Sequence, residues 1–357
     1  MDCRGTPETL ALNPSLTTLP ATDPGAIIQL RDRQFAAELI AAALLHFDFF
    51  TWLAEHDGVT SDDVATHFGF VERPLDVLLT LCRANGYVTS DSDGRLHLTA
   101  TAREHLVQGS PWFLGPYFAP IKDTPIVQGY LSVLTTGRPG NWQAKKDGKD
   151  WHESMLDPDF AHEFTGLMNS RGMAFGQSLA AGLTPYLTGR RSVLDVAGGS
   201  GIYSATLVAA HPQLSATVLE QKPVDAITRG EIARHGLTDR IDVVTADMFA
   251  DPWPRADIVL LSNMLHDWDF PEVRQLLEKA AAALPGGGLL VIHDAFIQDD
   301  KNGPLATAEY SALLMNITQG KCYTPAEYGG ILTELGFTPG PYHDTIANRG
   351  FMTAVRG

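Results

Sequence analysis

From residue 192 onward the chain alternates short apolar, β-branched runs with helical stretches, and no other feature constrains its fold as strongly. Five strands are predicted, at 192–196, 216–220, 241–246, 257–261 and 289–292. A predicted helix over 271–284, before the fifth strand, is ended by Pro285 and three glycines. Strands that alternate with helices form a parallel, doubly wound sheet. The sequence therefore predicts an α/β domain over 186–357, with any ligand site at the carboxyl ends of its strands.

A second pattern lies before this domain. Thr60 and Asp63 have the capping-box spacing of a short helix, and Pro74 opens a second helix after it. The Asp-Gly pair at 93–94, between two alternating runs, predicts a β-hairpin. Two helices followed by a hairpin form a winged helix-turn-helix unit. We therefore expect a mainly helical winged-helix domain over 25–108.

The charge of this unit favours packing over DNA binding. Its second helix offers Arg73 and Arg83 against Glu72 and Asp76, whereas a helix that enters a major groove usually has a more basic face. The whole chain has a formal net charge of -16, which repels nucleic acid and anionic membranes. We expect a packing or dimerisation domain, and no nucleic-acid or membrane partner.

Three further segments complete the predicted organisation. Residues 1–24 lack periodicity and are expected to form a loose arm. Apolar residues at helical spacing over 27–53 predict a helix whose small alanines suit close packing, either in the core or at a dimer seam. A helical connector is expected over 109–185, where an aromatic and methionine stripe serves either the core or a substrate pocket. This stripe consists of Phe160, Phe164, Met168, Met173 and Phe175.

The cysteines and the N-terminus favour a cytoplasmic protein. Cys3, Cys82 and Cys322 fit neither a CxxC pattern nor a disulfide framework, which is typical of a reducing compartment. The N-terminus lacks the order of a signal peptide, and the longest apolar stretch, 35–50, is too polar and too short to span a bilayer. The histidines show no HxH or HExxH spacing, so no metal is predicted.

The first predicted strand ends in a glycine-rich turn at 195–201, with the order Asp-Val-Ala-Gly-Gly-Ser-Gly. Glu220 closes the second strand, where a carboxylate can accept hydrogen bonds from both hydroxyls of a ribose. Nicotinamide, flavin and S-adenosylmethionine sites all share such a turn and acid. Asp195 would repel a pyrophosphate, but it suits a cofactor that carries a sulfonium and an ammonium. Asp247, at the end of the third strand, is placed to accept an adenine amino hydrogen.

His266 follows the fourth strand and is the candidate general base. Its ordinary pKa of about 6.5 leaves it neutral at pH 7 and able to accept a proton from a hydroxyl. Asp294, at the end of the fifth strand, and Glu327, on a later helix, are placed to flank the imidazole and hold its orientation. Asp267 adjoins the histidine in sequence but is free to turn away. His293 is the weaker candidate, because strand alternation puts it on the opposite face from Asp294.

Together these motifs resemble the S-adenosylmethionine-dependent O-methyltransferases of the plant phenylpropanoid, acetylserotonin and bacterial secondary-metabolite tailoring type. The resemblance covers nearly the whole chain and rests on 195–201, 247–249, 265–268 and 320–327. It implies a Rossmann-like domain that binds S-adenosyl-L-methionine and releases S-adenosyl-L-homocysteine, and a homodimer interlocked through the N-terminal domain. It also implies methyl transfer to a hydroxyl of a small aromatic or polyketide-like acceptor bound between the two domains.

By position, the resemblance also implies two sets of site residues. The cofactor would contact Asp195, Ala197, Gly198, Gly199, Glu220, Asp247, Met248, Phe249 and Ser262. Catalysis would use His266 as the base, with Asp294 and Glu327 as the acids that steady it. We further expect the wall of the acceptor pocket at Phe164, Met168, Leu313 and Asn316.

The chain departs from the family pattern at several points. Ala197 stands where the first motif glycine is usual, and Ser262 replaces a lysine common in plant members. Asp294 is shorter by a methylene than the usual glutamate, which puts its contact with the histidine in doubt. Cys322 and Tyr323 replace a frequent Glu-Arg pair, which would reshape the pocket wall. None of these changes removes the base or the cofactor cradle.

Three other functions are open on sequence grounds. An enzyme of the same fold could use the sulfonium only as an electrostatic element, and hydroxylate, decarboxylate or cyclise its substrate. The glycine-rich turn alone also fits a nicotinamide oxidoreductase, and the winged-helix unit alone fits a DNA-binding regulator. Within the leading hypothesis, methyl transfer to nitrogen or sulfur is a further variant.

Overall fold

The computed structural model describes residues 16–140 and 154–357. Most of the predicted N-terminal arm lies outside these ranges. Its described part, residues 16–24, forms turns and irregular structure.

The N-terminal region is mainly helical. Its elements are α1 (Gly25–Leu45), α2 (Phe49–Glu55), α3 (Ser61–Phe68), α4 (Glu72–Ala84), β1 (Val88–Ser90), β2 (Leu96–Leu98) and α5 (Ala100–His105). The prediction of one helix over 27–53 is wrong, because Asp48 adopts a left-handed backbone conformation (φ 49°) and α2 starts in a new direction. No single described helix is long and apolar enough to cross a membrane, although α1 and α2, bent by 55°, would together suffice by length and composition alone.

Both helices and the hairpin predicted near residue 60–99 are present. Thr60 and Asp63 form the complete capping box of α3, and Gly69 ends that helix with a left-handed backbone (φ 67°). α4 begins at Glu72, two residues before Pro74, because proline is tolerated in the first turn of a helix. In the hairpin, Val88 pairs with Leu98. These elements fit a winged-helix unit.

The connector is helical, as predicted, in the part that the structure describes. It contains α6 (Gly115–Phe118), a 3-10 turn (Ala119–Ile121), α7 (Pro125–Thr136) and the long α8 (Pro158–Leu183). Asp157 caps α8, because its side chain accepts hydrogen bonds from the backbone N–H groups of Asp159 and Phe160. Phe160 and Phe164 stack with ring centroids 6.1 Å apart and pack beside Val224. This part of the aromatic stripe therefore packs against a small core, and Phe164 also borders the cavity.

A seven-stranded sheet forms the C-terminal half. Its strands are β3 (Ser192–Val196), β4 (Ser215–Glu220), β5 (Ile241–Thr245), β6 (Ile258–Ser262), β7 (Leu289–Asp294), β8 (Phe337–Asp344) and β9 (Gly350–Arg356). Their order is β5-β4-β3-β6-β7-β9-β8. The first five strands pair in parallel, and β9 pairs antiparallel with both β7 and β8. β6 is buried along its whole length, as expected for a strand covered on both faces. The predicted doubly wound α/β sheet is confirmed, with an antiparallel pair added at one edge.

Helices of the C-terminal half cover this sheet and extend beyond it. They are α9 (Ile202–Ala210), α10 (Val224–Arg234), α11 (Phe270–Ala283), α12 (Leu305–Ile317) and α13 (Pro325–Glu334). The strand order reverses between β3 and β6, which makes their carboxyl ends the natural ligand site. α12 packs against α1, α4 and α7, and its Leu313 and Met315 share a core with Leu39 of α1. Buried apolar contacts therefore join the two regions.

Candidate active site

A cavity of about 510 Å³ opens at the carboxyl ends of β3, β4 and β6. Its walls come from the glycine-rich turn, the segment after β6, α8, α12 and the start of α1. The region predicted to hold a ligand is therefore concave. Both halves of the chain contribute to it, because α1 belongs to the N-terminal region.

The glycine-rich turn forms one wall through its backbone. Ala197, Gly199 and Gly201 all have positive φ, of 53°, 57° and 76°. Alanine at 197 takes a conformation that glycine adopts without steric cost, so only its backbone reproduces the usual motif. A Cβ at Gly199 would meet nothing within 4 Å, while one at Gly198 would come within 2.8 Å of Val218. The turn thus faces open space on one side and the sheet on the other.

Asp195 supports this turn from beneath. Its side chain is fully buried, and Oδ2 accepts a hydrogen bond of 2.7 Å from the Ser204 hydroxyl. Burial raises the pKa of Asp195 to about 6. The residue is not among those that line the cavity. The prediction that Asp195 itself lines the cofactor site is therefore wrong; its side chain packs under the turn instead.

The other predicted cofactor residues do border the cavity: Ala197, Gly198, Gly199, Glu220, Asp247, Met248, Phe249 and Ser262. Glu220 accepts hydrogen bonds of 2.9 Å from the backbone N–H groups of Gly199 and Gln221, one on each oxygen. Burial raises its pKa to about 7. Asp247 accepts hydrogen bonds from the backbone of the two residues that follow Met248, at 2.7 and 3.1 Å, which fixes its carboxylate at the rim.

His266 is buried in the turn after β6, and Asp294 at the end of β7 holds its ring. Nδ1 of the imidazole donates a short hydrogen bond to Oδ1 of Asp294, which also accepts one of 2.7 Å from the backbone N–H of Ala295. Nε2 lies 3.4 Å from the Tyr310 hydroxyl and 3.6 Å from Oδ1 of Asp267, and all three residues line the cavity. The predicted pairing of His266 with Asp294 is therefore present, and Asp267 does not turn away.

The surroundings of His266 favour its charged form. Burial opposes protonation, but the carboxylate of Asp294, with Tyr310 and Asp267, outweighs it and raises the pKa of His266 to about 9. The pKa of Asp294 is lowered, because the attraction of His266 outweighs the effect of burial. These surroundings therefore shift the imidazole toward its charged form, against the expectation from its ordinary pKa.

Glu327 does not contact the imidazole. One carboxylate oxygen lies 2.8 Å from Lys321 Nζ and 3.1 Å from Lys301 Nζ, and the other accepts a hydrogen bond from the backbone N–H of Thr324. Glu327 thereby completes the capping box of α13. The prediction that Glu327 steadies His266 is wrong, because neighbouring cations and the helix N-terminus occupy its carboxylate.

His293 lies on the opposite face of β7, as strand alternation predicted. Its Nδ1 is 2.8 Å from the Ser262 hydroxyl, its ring meets Tyr203 edge-on at 5.6 Å, and burial lowers its pKa to about 3. This histidine is fully buried and does not border the cavity. It supports Ser262 from behind.

The segment after α12 holds the catalytic turn in place. The backbone N–H of Gln319 donates to the carbonyl oxygen of Asp267 at 3.1 Å, and the Tyr323 hydroxyl donates to that of Trp268 at 2.5 Å. Gly320 packs so tightly that a Cβ there would come within 2.1 Å of the carbonyl oxygen of His266. Only a residue without a side chain fits at this position.

Three of the four residues predicted for the acceptor wall line the cavity, and their role toward an acceptor stays a prediction. Phe164, Met168 and Leu313 line the cavity. Asn316 does not, because it is 2% exposed and its backbone carbonyl accepts a hydrogen bond from Gly140. Ile317, its neighbour in sequence, takes that place on the wall.

Sequence reasoning missed several polar residues of the cavity, among them Asp32, Arg171 and Tyr310, and it left Asp267 free to turn away. Tyr310 precedes Leu313 by three residues on one helix, so helical spacing from a predicted pocket residue could have found it. Arg171 follows Met168 by three residues, so the same helical spacing could have indicated it. Nothing in the sequence near Asp32 indicates its place in the site.

Comparisons with known proteins agree with this geometry. Residues 134–338 match the O-methyltransferase domain family. The chain is 35% identical over 298 residues to 3-hydroxy-5-methyl-1-naphthoate 3-O-methyltransferase of Streptomyces sahachiroi, covering 82% of this chain and 84% of that protein. It is 30% identical over 311 residues to L-tyrosine C(3)-methyltransferase of Streptomyces lavendulae, covering 83% of this chain and 82% of that protein.

Solved structures share the architecture. The O-methyltransferase family 2 protein of Planctomyces limnophilus, in complex with apigenin, has a TM-score of 0.85 at 29% identity and covers 96% of this chain and 98% of its own. The S-adenosylmethionine-dependent methyltransferase SibL has a TM-score of 0.55 at 26% identity, over 94% of this chain and 99% of its own. The chain therefore belongs to the O-methyltransferase family and is an S-adenosylmethionine-dependent O-methyltransferase.

Proposed function

We propose that the protein methylates a hydroxyl of a small aromatic or polyketide-like acceptor, with His266 as the general base. The relative from Streptomyces sahachiroi, which acts on a naphthoate, supports an acceptor of this class. The single observation that carries the proposal is the position of His266. His266 lines the cavity and its Nδ1 is held by Asp294, which leaves Nε2 as the ring atom that can accept a proton.

The residues at the strand ends fit S-adenosylmethionine. Glu220 uses one lone pair of each carboxylate oxygen on backbone N–H groups, which leaves acceptor capacity for ribose hydroxyls. The turn at Gly199 borders open space, and Met248 and Phe249 offer apolar surface for an adenine, whose amino group suits Asp247. When bound, S-adenosylmethionine supplies an electrophilic methyl group on a positively charged sulfur.

His266 then removes the proton of the acceptor hydroxyl. Asp294 keeps the Nδ1 proton in place, so that the incoming proton binds Nε2 and the imidazolium that forms is paired with a carboxylate. Only the neutral ring can accept this proton, and a cation bound nearby lowers the pKa of a histidine. The walls of the cavity hold the acceptor oxygen in line with the methyl carbon, and this alignment supplies a further part of the rate.

Substitution of the base tests the proposal. We expect His266→Ala to lower kcat by about 10²–10⁴-fold with a hydroxynaphthoate as acceptor, measured as transfer of a labelled methyl group by mass spectrometry. His162→Ala, which removes an exposed histidine of α8, is the matched control and should retain the wild-type rate. An undiminished rate in the His266 variant would remove the base from the mechanism.

Transfer to carbon is a second candidate, supported by the relative that methylates L-tyrosine at C(3). Both reactions begin with deprotonation of a phenol, because the phenolate is nucleophilic at oxygen and at the adjacent ring carbons. The position of the new methyl group, read by NMR of the product, separates them. A methyl ether supports the first candidate and an aryl methyl group supports the second.

We also propose a homodimer in the cytoplasm. Ile27, which lines the cavity, and Leu30 are 75% and 68% exposed on α1, and a partner subunit would bury them. The free thiols of Cys82 and Cys322 support a reducing compartment. Light scattering after size-exclusion chromatography should give twice the mass of one chain, and the substitutions Ile27→Glu and Leu30→Glu should reduce it to one. A single-chain mass for the wild type would contradict the dimer.

A further inference from the structure

One guanidinium that borders the cavity, that of Arg171, has no carboxylate within ion-pair distance among the residues that the structure describes. Arg171 lies half-buried on α8, with Nη2 3.1 Å from Met168 Sδ and 3.5 Å from the Tyr310 hydroxyl. Within residues 16–140 and 154–357, the arginines that form ion pairs are Arg31, Arg33, Arg73, Arg103, Arg234 and Arg274. Arg171 is not one of them.

The two acids near Arg171, Asp32 and Asp267, have other partners. Asp32 is 4% exposed and is shared with two more arginines, Arg31 at 3.3 Å and Arg349. Burial raises the pKa of Asp32 in spite of these three cations. Asp267 faces Nε2 of the catalytic histidine, and burial raises its pKa to about 6. Among the described residues, neither acid lies within ion-pair distance of Arg171, and each is paired with another group.

Tyr310 connects this guanidinium to the base. Its hydroxyl lies 3.4 Å from Nε2 of His266 and 3.5 Å from Nη2 of Arg171. Its ring is held by Arg349, whose guanidinium is 4.3 Å from the ring centroid, and by Arg171 at 5.8 Å. An acceptor with its hydroxyl at His266 would direct an adjacent substituent along this wall toward Arg171.

We infer that Arg171 recognises a carboxylate on the acceptor, next to the hydroxyl that is methylated. This inference rests on the proposed function and narrows its substrate class to hydroxyaryl carboxylic acids. A guanidinium binds a carboxylate through two parallel hydrogen bonds, which are stronger in a largely apolar cavity than in water. The amino-acid tail of the cofactor is a second source of a carboxylate. The contacts of Arg171 with Met168 and Tyr310, on the acceptor wall, favour the acceptor.

Binding of two matched probes tests the inference. Calorimetry on the protein loaded with S-adenosylhomocysteine would compare 3-hydroxy-2-naphthoate with 2-naphthol, which lacks the carboxylate. We expect wild-type protein to bind the acid about 10-fold or more tightly than the naphthol, as one charged hydrogen-bonded contact allows. Arg171→Gln should abolish this preference, and Arg171→Lys should retain part of it. Arg33→Gln removes an equal charge outside the cavity lining and should keep the full preference.

Two results would overturn the inference. An equal loss of affinity for both probes in Arg171→Gln would assign the residue a structural role. Weaker binding of S-adenosylhomocysteine with the acid preference intact would assign Arg171 to the cofactor carboxylate. Because binding is read without turnover, a failure to methylate either probe would count against the proposed function and leave this measurement valid. Thermal melting of each variant identifies any loss of folding, and the lysine variant then supplies the comparison.

Discussion

Two groups of charged side chains lie near the segment that follows α12, and they differ in what they hold. In the catalytic pair, His266 lines the cavity, and Asp294 holds one of its ring nitrogens and leaves the other available. The interface cluster contains Asp76 of α4 and three residues of the C-terminal half, Lys301, Lys321 and Glu327. It ties the N-terminal region to the catalytic domain and leaves no group facing the cavity.

The contrast explains why two acids expected to act alike do not. Asp294 ends a fully buried strand, where alternation aims its carboxylate at His266. Glu327 lies in the first turn of α13, close to Lys321, which is 4% exposed at its side chain. A buried ammonium is costly without a counter-charge, so Lys321 engages both available carboxylates. Burial opposes ionisation of Asp76 and Glu327, but the lysines prevail and lower both pKa values.

Removing the orienting acid should give the largest effect. We expect Asp294→Asn to lower kcat by on the order of 10²–10⁴-fold, because an amide cannot fix the Nδ1 proton or pair with the imidazolium. The same change removes the main attraction that raises the pKa of His266, so the remaining activity should titrate at lower pH. Steady-state rates across pH measure both quantities. A rate near that of wild type would place Asp294 outside catalysis.

The pH dependence of wild-type activity tests the role of the catalytic pair separately from the interface cluster. The base must be neutral, and its pKa is raised to about 9, so kcat/KM for the cofactor should rise about tenfold per pH unit and level off near pH 9. In the ternary complex, the cationic cofactor should move the inflection in kcat to lower pH. Initial rates in buffers of constant ionic strength test this, with the unfolding midpoint followed at each pH. A flat profile between pH 6 and 9 would contradict the titration of His266.

Patterns among residues close in sequence predicted much of this structure, whereas contacts between residues far apart in sequence were not predicted. The five parallel strands, the glycine-rich turn and the capping box at Thr60 depend on residues close in sequence and were predictable, whereas the edge strands β8 and β9 were not predicted. The lysines around Glu327 depend on Asp76, 245 residues from Lys321, and no periodicity reports such a contact. Asn316 shows a different limit of sequence-based prediction. Consecutive side chains on a helix point about 100° apart, so an error of one residue places the predicted side chain on the wrong face. Arg171 and Tyr310 meet only because α8 and α12 border one cavity.

Breaking the interface cluster should alter stability more than chemistry. Asp76→Asn removes a carboxylate that binds both Lys301 and the nearly buried Lys321. Loss of a fully buried partner costs about 3–5 kcal/mol, and the 22% exposure of the Asp76 side chain brings our expectation to roughly 1–3 kcal/mol. Urea unfolding measures this, with Asp239→Asn, an exposed acid, as control. Unchanged stability would show that Glu327 alone suffices as the counter-charge.

Glu327→Gln should have the smallest effect on catalysis and is the sharpest separation of the two charge groups. An amide can still accept the hydrogen bond of the Thr324 backbone, so the helix cap is retained, while one of two carboxylates near Lys321 is lost. We expect kcat within about threefold of wild type, since the effect on His266 is indirect, and an unmoved pH inflection. A shift of that inflection to lower pH, like the one expected for Asp294→Asn, would mean that Glu327 reaches the imidazole during turnover. The two variants measured side by side therefore decide whether one acid or two govern the base.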